Sequence, residues 1–544
     1  MRVSPIGPSQ GLKAEHFPTH GLGRSRLVTR RQLLIMSAAI ATSCSGCTLV
    51  GPNFKTPKAP LAPTYLGVGG QKLPEKAPEL RDWWHVFEDP ALNHLETLAY
   101  EQNLTLEAAG ARVLEARAEL GIATGNLNPQ VQAINGTLSY NRLSHQDIYS
   151  SAAPAEDFWR ATLGPELEWE LDFWGKFRRG VESATAAYLA SIASYDDVLV
   201  SLLGDVATTY LGIRTLEEQI AIARANINIQ RRALSIAQTR FNEGSTTRLD
   251  VYQAQDVLAA TEAQLPRFET QLAQGKNALL VLLGMAPQTL DPILDQSSGI
   301  PTPPDNVVVG IPADLLRRRP DVRAAELLAA AQSAQIGIAK ADLYPAFSLF
   351  GTVGLAATDA PPSTLSDFFT YKAVTFSFGP SFHWNVFNYG RITNNVRVQD
   401  ARLQARLIDY KNTVLTAQEE VENAIASLVF SRQEADFLRR SVGATRGALK
   451  LALDQYHEGL VDFTTVLTTE QNLLQAETSL AAAIGAGASS IARIYRGLGG
   501  GWEIAENNGF VNPATREEMT QRTDWGNLLP PESRPKPAAP ASGF

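Results

Sequence analysis

Two cysteines are all that 544 residues contain. Both stand near the amino terminus, as Cys44 and Cys47, so no disulfide framework supports the rest of the chain. Long apolar runs are missing as well: no run reaches the roughly 18 apolar residues that a spanning helix needs. Histidine is scarce, with seven in the whole chain. None combines with a carboxylate and a nucleophile at a recognisable spacing, which leaves an enzyme without support. No clustered ligand set calls for a metal, and no cofactor is implied. The glycines at 497, 499, 500 and 501 lack the preceding strand that a dinucleotide loop requires. Positive charge is short too, at a net −8 overall. The first 46 residues hold six of the Lys/Arg and one acid, so the remainder carries 42 bases against 55 acids, or −13. Without a basic field to neutralise phosphates, nucleic acid is excluded as a partner.

Proline is absent from two stretches, 181–243 and 392–457, and there alanine and leucine recur with apolar positions three and four apart. Each predicts one helix of roughly 60 residues, about 90 Å long at 1.5 Å per residue. Ordinary helices run about three turns, so these are built to span something. Ahead of the first lies GPELEWELDFW, in which Leu167, Trp169, Leu171 and Phe173 alternate with Glu166, Glu168, Glu170 and Asp172. That is the period of a strand with one apolar and one wet side.

The same design returns 215 residues later: Gly164-Pro165 matches Gly379-Pro380, Trp169 matches Trp384, and Gly175-Lys176 matches Gly390-Arg391. Phe376, Phe378, Phe382, Trp384 and Val386 alternate with Thr375, Ser377, Ser381, His383 and Asn385. The ends of the two helices align as well, FNEGSTTRLDV with YHEGLVDFTTV, which argues for an internal duplication. With shorter segments after Pro129 and Pro345, the chain offers four strands, at 131–140, 159–173, 346–355 and 373–387. A soluble sandwich strand is the alternative reading for any one of them. Four strands are too few to close a barrel, and lipid tolerates no open edge, so lipid-type alternation here requires strands from further copies of the chain. Trp169, Phe173, Phe376, Phe378 and Trp384 then face lipid, with Tyr140 and Tyr371 near the interfaces, and Glu166, Glu168, Glu170 and Asp172 line a wet lumen.

The amino terminus reads as an address. Arg24, Arg26, Arg30 and Arg31 precede the apolar run 33–41 and a small-residue region, the layout of a secretory signal. Ser45-Gly46-Cys47 resembles a bacterial lipobox, with Cys47 as the lipid-bearing residue after removal of residues 1–46. Cys44 occupies the position usually held by an aliphatic residue and is the competing site, and Arg30-Arg31 also resembles a twin-arginine signal. Acyl chains at such a cysteine give stable anchoring when two or more are present. A Pro/Gly-rich tether at 47–80 follows.

CTLVGPNFKTP, DWWHVFEDPALNHL, LDFWGKFRR and LLRRRPDVRAAE resemble, in that order, the outer-membrane efflux factors. These are TolC-like proteins, here of the NodT-type lipoprotein branch that serves resistance-nodulation-division pumps. The resemblance spans about residues 47–500. It implies a mainly α fold with a transmembrane β-barrel: a homotrimer with a 12-stranded barrel, four strands per chain, above a periplasmic tunnel of long helical hairpins. It also implies a periplasmic adaptor and an inner-membrane pump as partners, outer-membrane lipid around the barrel, and export of small molecules. On this basis residues 81–300 and 301–500 are two efflux-factor repeats, and 501–544 form a disordered tail. Pro266 is expected to bend the helix over 248–283, and Pro320 to start another. The Arg317–Arg319 run reads as a solvated helix end, an intersubunit salt bridge or a phosphate site.

Both hairpins turn at a glycine, Gly244 and Gly459. In the family these tips meet at the periplasmic mouth, where acidic side chains narrow the pore and select cations; opening is expected here to require the tips to splay when an adaptor docks in the grooves between hairpins. The family places leucine five and aspartate nine residues after the second glycine, and this chain has Thr464 and Thr468 there. Asp462 and Glu470 flank that level, and Asp250 and Asp256 are the candidates in the first hairpin. Each reads equally as a solvated helix-end carboxylate. A protein-exporting type I secretion duct and a periplasmic coiled-coil scaffold without a pore are the alternative functions. The lipoprotein start and VGPNF favour the small-molecule branch.

Overall fold

A computed structural model describes residues 49–58, 79–144, 157–301, 318–506 and 508–529. The signal region, Cys44, Cys47 and Arg317 lie outside the described residues. A 3-10 turn at Trp83–Phe87 leads into α1 (Pro90–Gln102) and α2 (Leu104–Gly125), then β1 (Val131–Arg142), β2 (Asp157–Leu171), α3 (Lys176–Asn242) and α4 (Arg248–Leu282). The second series is α5 (Pro320–Ala341), β3 (Ala346–Thr358), β4 (Val374–His383), α6 (Arg391–His457) and α7 (Phe463–Gly497), followed by α8 (Pro513–Arg522). The duplication extends to length: α3 and α6 each have 67 residues, α4 and α7 each 35. At 1.5 Å per residue the long helices reach about 100 Å.

The four strands form one antiparallel sheet in the order β1-β2-β3-β4. Its register sorts the side chains cleanly. Gln132↔Leu167, Leu163↔Leu355, Gly351↔Phe378 and Val353↔Phe376 are cross-strand partners. Partners share a face, so one side carries Ile134, Leu138, Tyr140, Leu163, Leu167, Trp169, Leu349, Phe376, Phe378 and Phe382. The other carries Asn135, Thr137, Thr162, Glu166, Glu168, Ser348 and Ser377. On this polar side Asn135 donates to Glu166 at 2.6 Å, and the Thr137 and Thr162 hydroxyls meet at 2.6 Å. On the apolar side most of the large side chains are exposed among the described residues, with Phe378 80% exposed. β2 and β4 stop at Leu171 and His383 because their partner β3 begins at Ala346. Phe173 and Trp384 therefore lie just beyond the strands rather than in them.

Each copy repeats one tether between strand and short helix. Trp169 donates its indole N–H to the Leu127 carbonyl at 3.2 Å, and Trp384 to the Leu343 carbonyl at 3.0 Å. Asp172 caps the start of α3, accepting from the Phe177 and Arg178 backbone N–H groups at 3.1 and 2.9 Å and from the Arg178 side chain. This occupation makes it a helix-start residue instead of a lumen charge.

The helices pack unequally. α3 touches α1, α2, α4, α5 and α7, whereas α6 touches α7 and α5. On α3 the burial of Leu199, Leu203, Val206, Tyr210 and Ile213 follows the helical period and meets Ile491, Ile494 and Leu498 of α7 in the main core. Fully burying each such side chain contributes about 1.5–3 kcal/mol. The positions of α6 equivalent to buried Ala193 and Val200 are Ile408 and Leu415, both exposed, as are Phe430 and Phe437 further along the same helix.

A polar cluster fixes the connector between copies. Asp89 caps α1 at Leu92 N (3.1 Å) and accepts from Tyr210 Oη at 2.7 Å and Ser297 Oγ at 2.6 Å. Arg214 binds Tyr210 Oη, the Leu294 and Ser297 carbonyls and Glu217. Arg319 is not a solvated helix end. Buried, it binds Asp321, Glu420 at 2.9 Å and the Gly497 carbonyl at 2.7 Å, joining α5, α6 and α7 inside one chain. Pro320 opens α5 as expected, while α4 runs without interruption through Pro266.

The expectation of a disordered tail fails for residues 508–529. Asn512 caps α8, Leu114 of α2 packs with Val511, Met519 and Leu529, and Arg117 donates to the Leu528 carbonyl at 3.1 Å. A few apolar side chains suffice because α2 already supplies the opposing surface; residues 530–544 lie outside the described set.

Glu96 of α1 is fully buried beside Leu92, Leu95 and Ala99, and neither carboxylate oxygen has a hydrogen-bond partner. Burial alone holds its carboxyl well above the usual carboxylate range. Glu96→Leu is expected to raise stability by about 1–3 kcal/mol, since an unpaired buried polar group is replaced by an apolar one. The check is a thermal melt at neutral pH; an unchanged or lowered midpoint contradicts the assignment.

Candidate functional site: the hairpin tips

The two helical hairpins end alike. At the first, Gly244 (φ 74°) donates to the Phe241 carbonyl at 3.0 Å and Ser245 to the Arg240 carbonyl at 2.8 Å. At the second, Gly459 (φ 76°) donates to Tyr456 O at 3.0 Å and Leu460 to Gln455 O at 2.9 Å. Both are Schellman ends, which need a residue in the left-handed region at the glycine position. Thr247 and Asp462 then start the return helices, Asp462 without a side-chain cap bond.

Antiparallel packing brings the two tips together. Arg240, one turn before Gly244, lies with its guanidinium carbon 4.6 Å from the Tyr456 ring centroid and donates to the Tyr456 carbonyl. Tyr456 Oη donates to Asp250 Oδ2 at 3.0 Å, and the Thr246 hydroxyl donates to the same oxygen. Burial, seconded by the bond to Asp250, pushes the Tyr456 phenol up to about 12, so it stays a donor throughout the physiological range. Phe463 closes the other side of the tyrosine at 4.9 Å. Hairpin one supplies Arg240, Thr246 and Asp250; hairpin two supplies Tyr456.

Of the residues singled out from the sequence, Asp250 belongs to this constellation. Asp462, Thr464, Thr468 and Asp256 are exposed, and Thr468 Oγ1 bonds back to the Thr464 carbonyl at 2.8 Å. Glu470 is placed differently from expectation. It is 2% exposed, on the buried face that carries Val466, Leu467 and Leu473, and so supplies no charge to an exposed ring. Burial raises its carboxyl to about 7. On α3, Gln230 is equally buried with both ends of its amide unpartnered, as is Glu470 Oε1. The register that sets Thr215 against Gly485 and packs Ala233 with Leu467 puts Gln230 and Glu470 at one level of the α3–α7 interface. Arg240 and Tyr456 were missed by sequence reasoning. The available signal was an aromatic and an arginine each within one turn of a hairpin glycine.

The profile of the outer membrane efflux protein family matches residues 95–285 and 311–500, one segment for each copy of the duplicated unit. Nodulation protein T of Rhizobium leguminosarum bv. viciae is 30% identical over 471 residues, covering 86% of this chain and 93% of that one. The pyoverdine export outer membrane protein OpmQ of Pseudomonas putida is 32% identical over 437 residues, 80% of this chain and 90% of its own. Among solved structures, the outer-membrane channel OprN superposes with a TM-score of 0.77 at 31% identity, covering 84% of this chain and 99% of that one.

Proposed function

The chain belongs to the outer membrane efflux protein family, and we propose that it is the outer-membrane duct of a tripartite, resistance-nodulation-division-type export system passing small molecules outward. The observation that carries this reading is the sheet with one aliphatic and aromatic face, interrupted by Gln132 and the end pair Arg142–Asp157, and with two edges unpaired among the described residues, continuous with helices of about 100 Å. We infer that three copies close it, with the apolar face against lipid and Glu166, Glu168 and Glu170 in the lumen. A lipid-bearing Cys47, an adaptor seated along the hairpins and an inner-membrane pump complete the assembly. Residues 81–300 and 301–500 act in it as equivalent halves.

The internal repeat says how copies join. α6 lacks the two neighbours that α3 finds in α5 and α7; on the next copy, α2 and α4 are the equivalents, and they cover Ile408, Leu415, Phe430 and Phe437. The pairing of β2 with β3, moved on by 215 residues, pairs β4 with the neighbour's β1. Thr162↔Ala356 becomes Ser377 against Asn141, and Leu163↔Leu355 becomes Phe378 against Tyr140. The expected result is a covalent three-chain ladder, on a denaturing gel, from oxidised Ser377→Cys/Asn141→Cys protein. The displaced pair Ser377→Cys/Ser139→Cys, two residues out of register, is expected to remain monomeric. Equal crosslinking of both pairs, or of neither, refutes this closure.

At the tips, Arg240, Tyr456 and Asp250 hold hairpin one to hairpin two within a chain, and this latch keeps the inner mouth closed. Asp462, Thr464 and Thr468 lie on the exposed side of the same level, Gly244 and Gly459 at its ends.

A further inference from the structure

The residues around the amino-terminal segment serve neither the conduit wall nor its closure at the tips. Residues 49–58 lie along the start of α3 and the end of α5. Val50 N donates to the Trp174 carbonyl at 3.1 Å. Arg179 is 2% exposed although it stands in the first turn of α3. Its Nε donates to Val50 O at 3.2 Å, and its Nη2 to Gly51 O at 3.4 Å and to Asn53 Oδ1 at 2.8 Å. Nη1 binds Glu182 at 2.6 Å, which balances the charge. The fit is backbone to backbone. A Cβ on Gly51, whose φ is +97°, would stand 2.5 Å from Gly337 Cα, and a Cβ on Gly337 would stand 2.8 Å from Val50 O. Farther along, the Thr56 hydroxyl donates to Glu326 at 2.6 Å.

We propose that the α3–α5 groove is a recognition site for an extended, uncharged Leu-Val-Gly-Pro-Asn peptide read by Arg179, filled by the chain's own residues 49–53 and open to that sequence in trans once they are displaced. The guanidinium takes two carbonyls and a side-chain amide, so it reads an extended backbone and the asparagine in one fixed fork. The third position admits glycine alone, on both conformation and space. Leaving the groove empty strips a buried cation of three acceptors, so the site favours occupation.

The second copy of the duplicated unit does not repeat the arginine. GIATGNLNP at 121–129 repeats as GIAKADLYP at 337–345, so Gly121 is the counterpart of Gly337, Gly390 of Gly175, and Asn394 of Arg179. The second copy keeps the glycines and lacks the reading residue. Within one chain nothing lies within 4 Å of a Cβ at Gly121, and only the Asn394 amide approaches Gly390; these two positions belong to α2 and the start of α6, which meet only between copies of the chain. The occupied groove sits where the two copies meet. There Trp174 stacks on Tyr344 at 4.6 Å and donates to the Pro345 carbonyl at 2.8 Å, and Ser183 donates to the Ala331 carbonyl at 3.0 Å. An occupant read by Arg179 therefore bridges α3 and α5 at the point where strand becomes helix.

The test is hydrogen exchange on the full-length protein in detergent. Residues 49–53 are expected to be protected in the unaltered protein and to exchange at least tenfold faster in Gly51→Val, with α3 and α5 still protected. Gly51→Val protein should then bind a synthetic Leu-Val-Gly-Pro-Asn-Phe peptide saturably, and a peptide with valine for glycine should not bind. Adding Arg179→Gln should abolish that binding. Continued protection of the segment in Gly51→Val, no peptide binding, or binding that survives Arg179→Gln overturns the proposal. Should Gly51→Val fail to fold, Asn53→Ala decides. It removes one acceptor at the groove rim, and exchange confined to residues 49–53 should rise severalfold; unchanged exchange there is again a refutation.

Discussion

Tyr456→Phe should leave the duct folded and open it. The substitution removes one hydroxyl, which donates to Asp250 of hairpin one at 3.0 Å. The ring stays between Arg240 and Phe463. A hydrogen bond to a charged acceptor contributes about 1.5–3 kcal/mol, and each 1.4 kcal/mol is about a factor of ten in the closed-to-open ratio. Single-channel conductance in planar bilayers is therefore expected to show an open fraction at least tenfold higher. Asp250→Asn should act in the same direction, and the double variant should open little further than either single one, because both remove one link. Arg240→Ala should open the tip by more, since it takes away both the stacking on Tyr456 and the bond to the Tyr456 carbonyl. Additive effects of Tyr456→Phe and Asp250→Asn, or a closed trace in all three variants, would remove the latch from the mechanism.

That latch was not legible in the sequence, and the reason is geometric. Asp250 and Tyr456 are 206 residues apart and meet only because two 67-residue helices run in parallel from equivalent starting points to equivalent ends. The equivalence itself was legible. Period-two alternation located β2 and β4, the segments after Pro129 and Pro345 placed β1 and β3, and proline-free 3.6-period stretches located α3 and α6 to within about five residues. Local pattern sufficed there because each face meets one uniform surrounding. It failed where a residue's role is set by what packs on it. Glu470 looks like a pore carboxylate next to Thr468, yet one face of α7 turns it into the α3 interface. Asp172 continues the row of Glu166, Glu168 and Glu170, yet the strand has ended and α3 begins. The tail after Gly501 lacks periodicity, yet α2 offers Leu114 for Met519 and Leu529 to cover.

Glu470 gives the second large expected effect, a pH dependence of fixed sign. Its folded pKa of about 7 lies above the ordinary 4.5, from burial alone. A carboxyl raised in this way favours the folded interface in its protonated form. The contribution is full below about 4.5, declines as pH rises from there through 7, and is gone above. The difference corresponds to about 3 kcal/mol at most, at 1.36 kcal/mol per unit. The charged groups on the neighbouring helices do not offset it. Arg231 pairs with Glu262 at 2.8 Å and Arg446 with Glu477 at 2.6 Å, all as pairs of their own. An ionised Glu470 draws water into the α3–α7 interface, at the level of the unpartnered Gln230 amide and about two turns from Phe463. The hairpins are therefore expected to hold most firmly in acid and to loosen as pH passes 7. Hydrogen exchange of the α7 amides around 463–474 should be slow at pH 5.5 and, after correction for intrinsic rate, about ten to a hundred times faster at pH 8. Glu470→Gln should abolish the difference and keep the slow rate at both values, with conductance at pH 8 falling in parallel. An unchanged pH profile in Glu470→Gln places the titrating group elsewhere. Faster exchange at pH 5.5 than at pH 8 reverses the sign and refutes the neutral carboxyl in the closed interface.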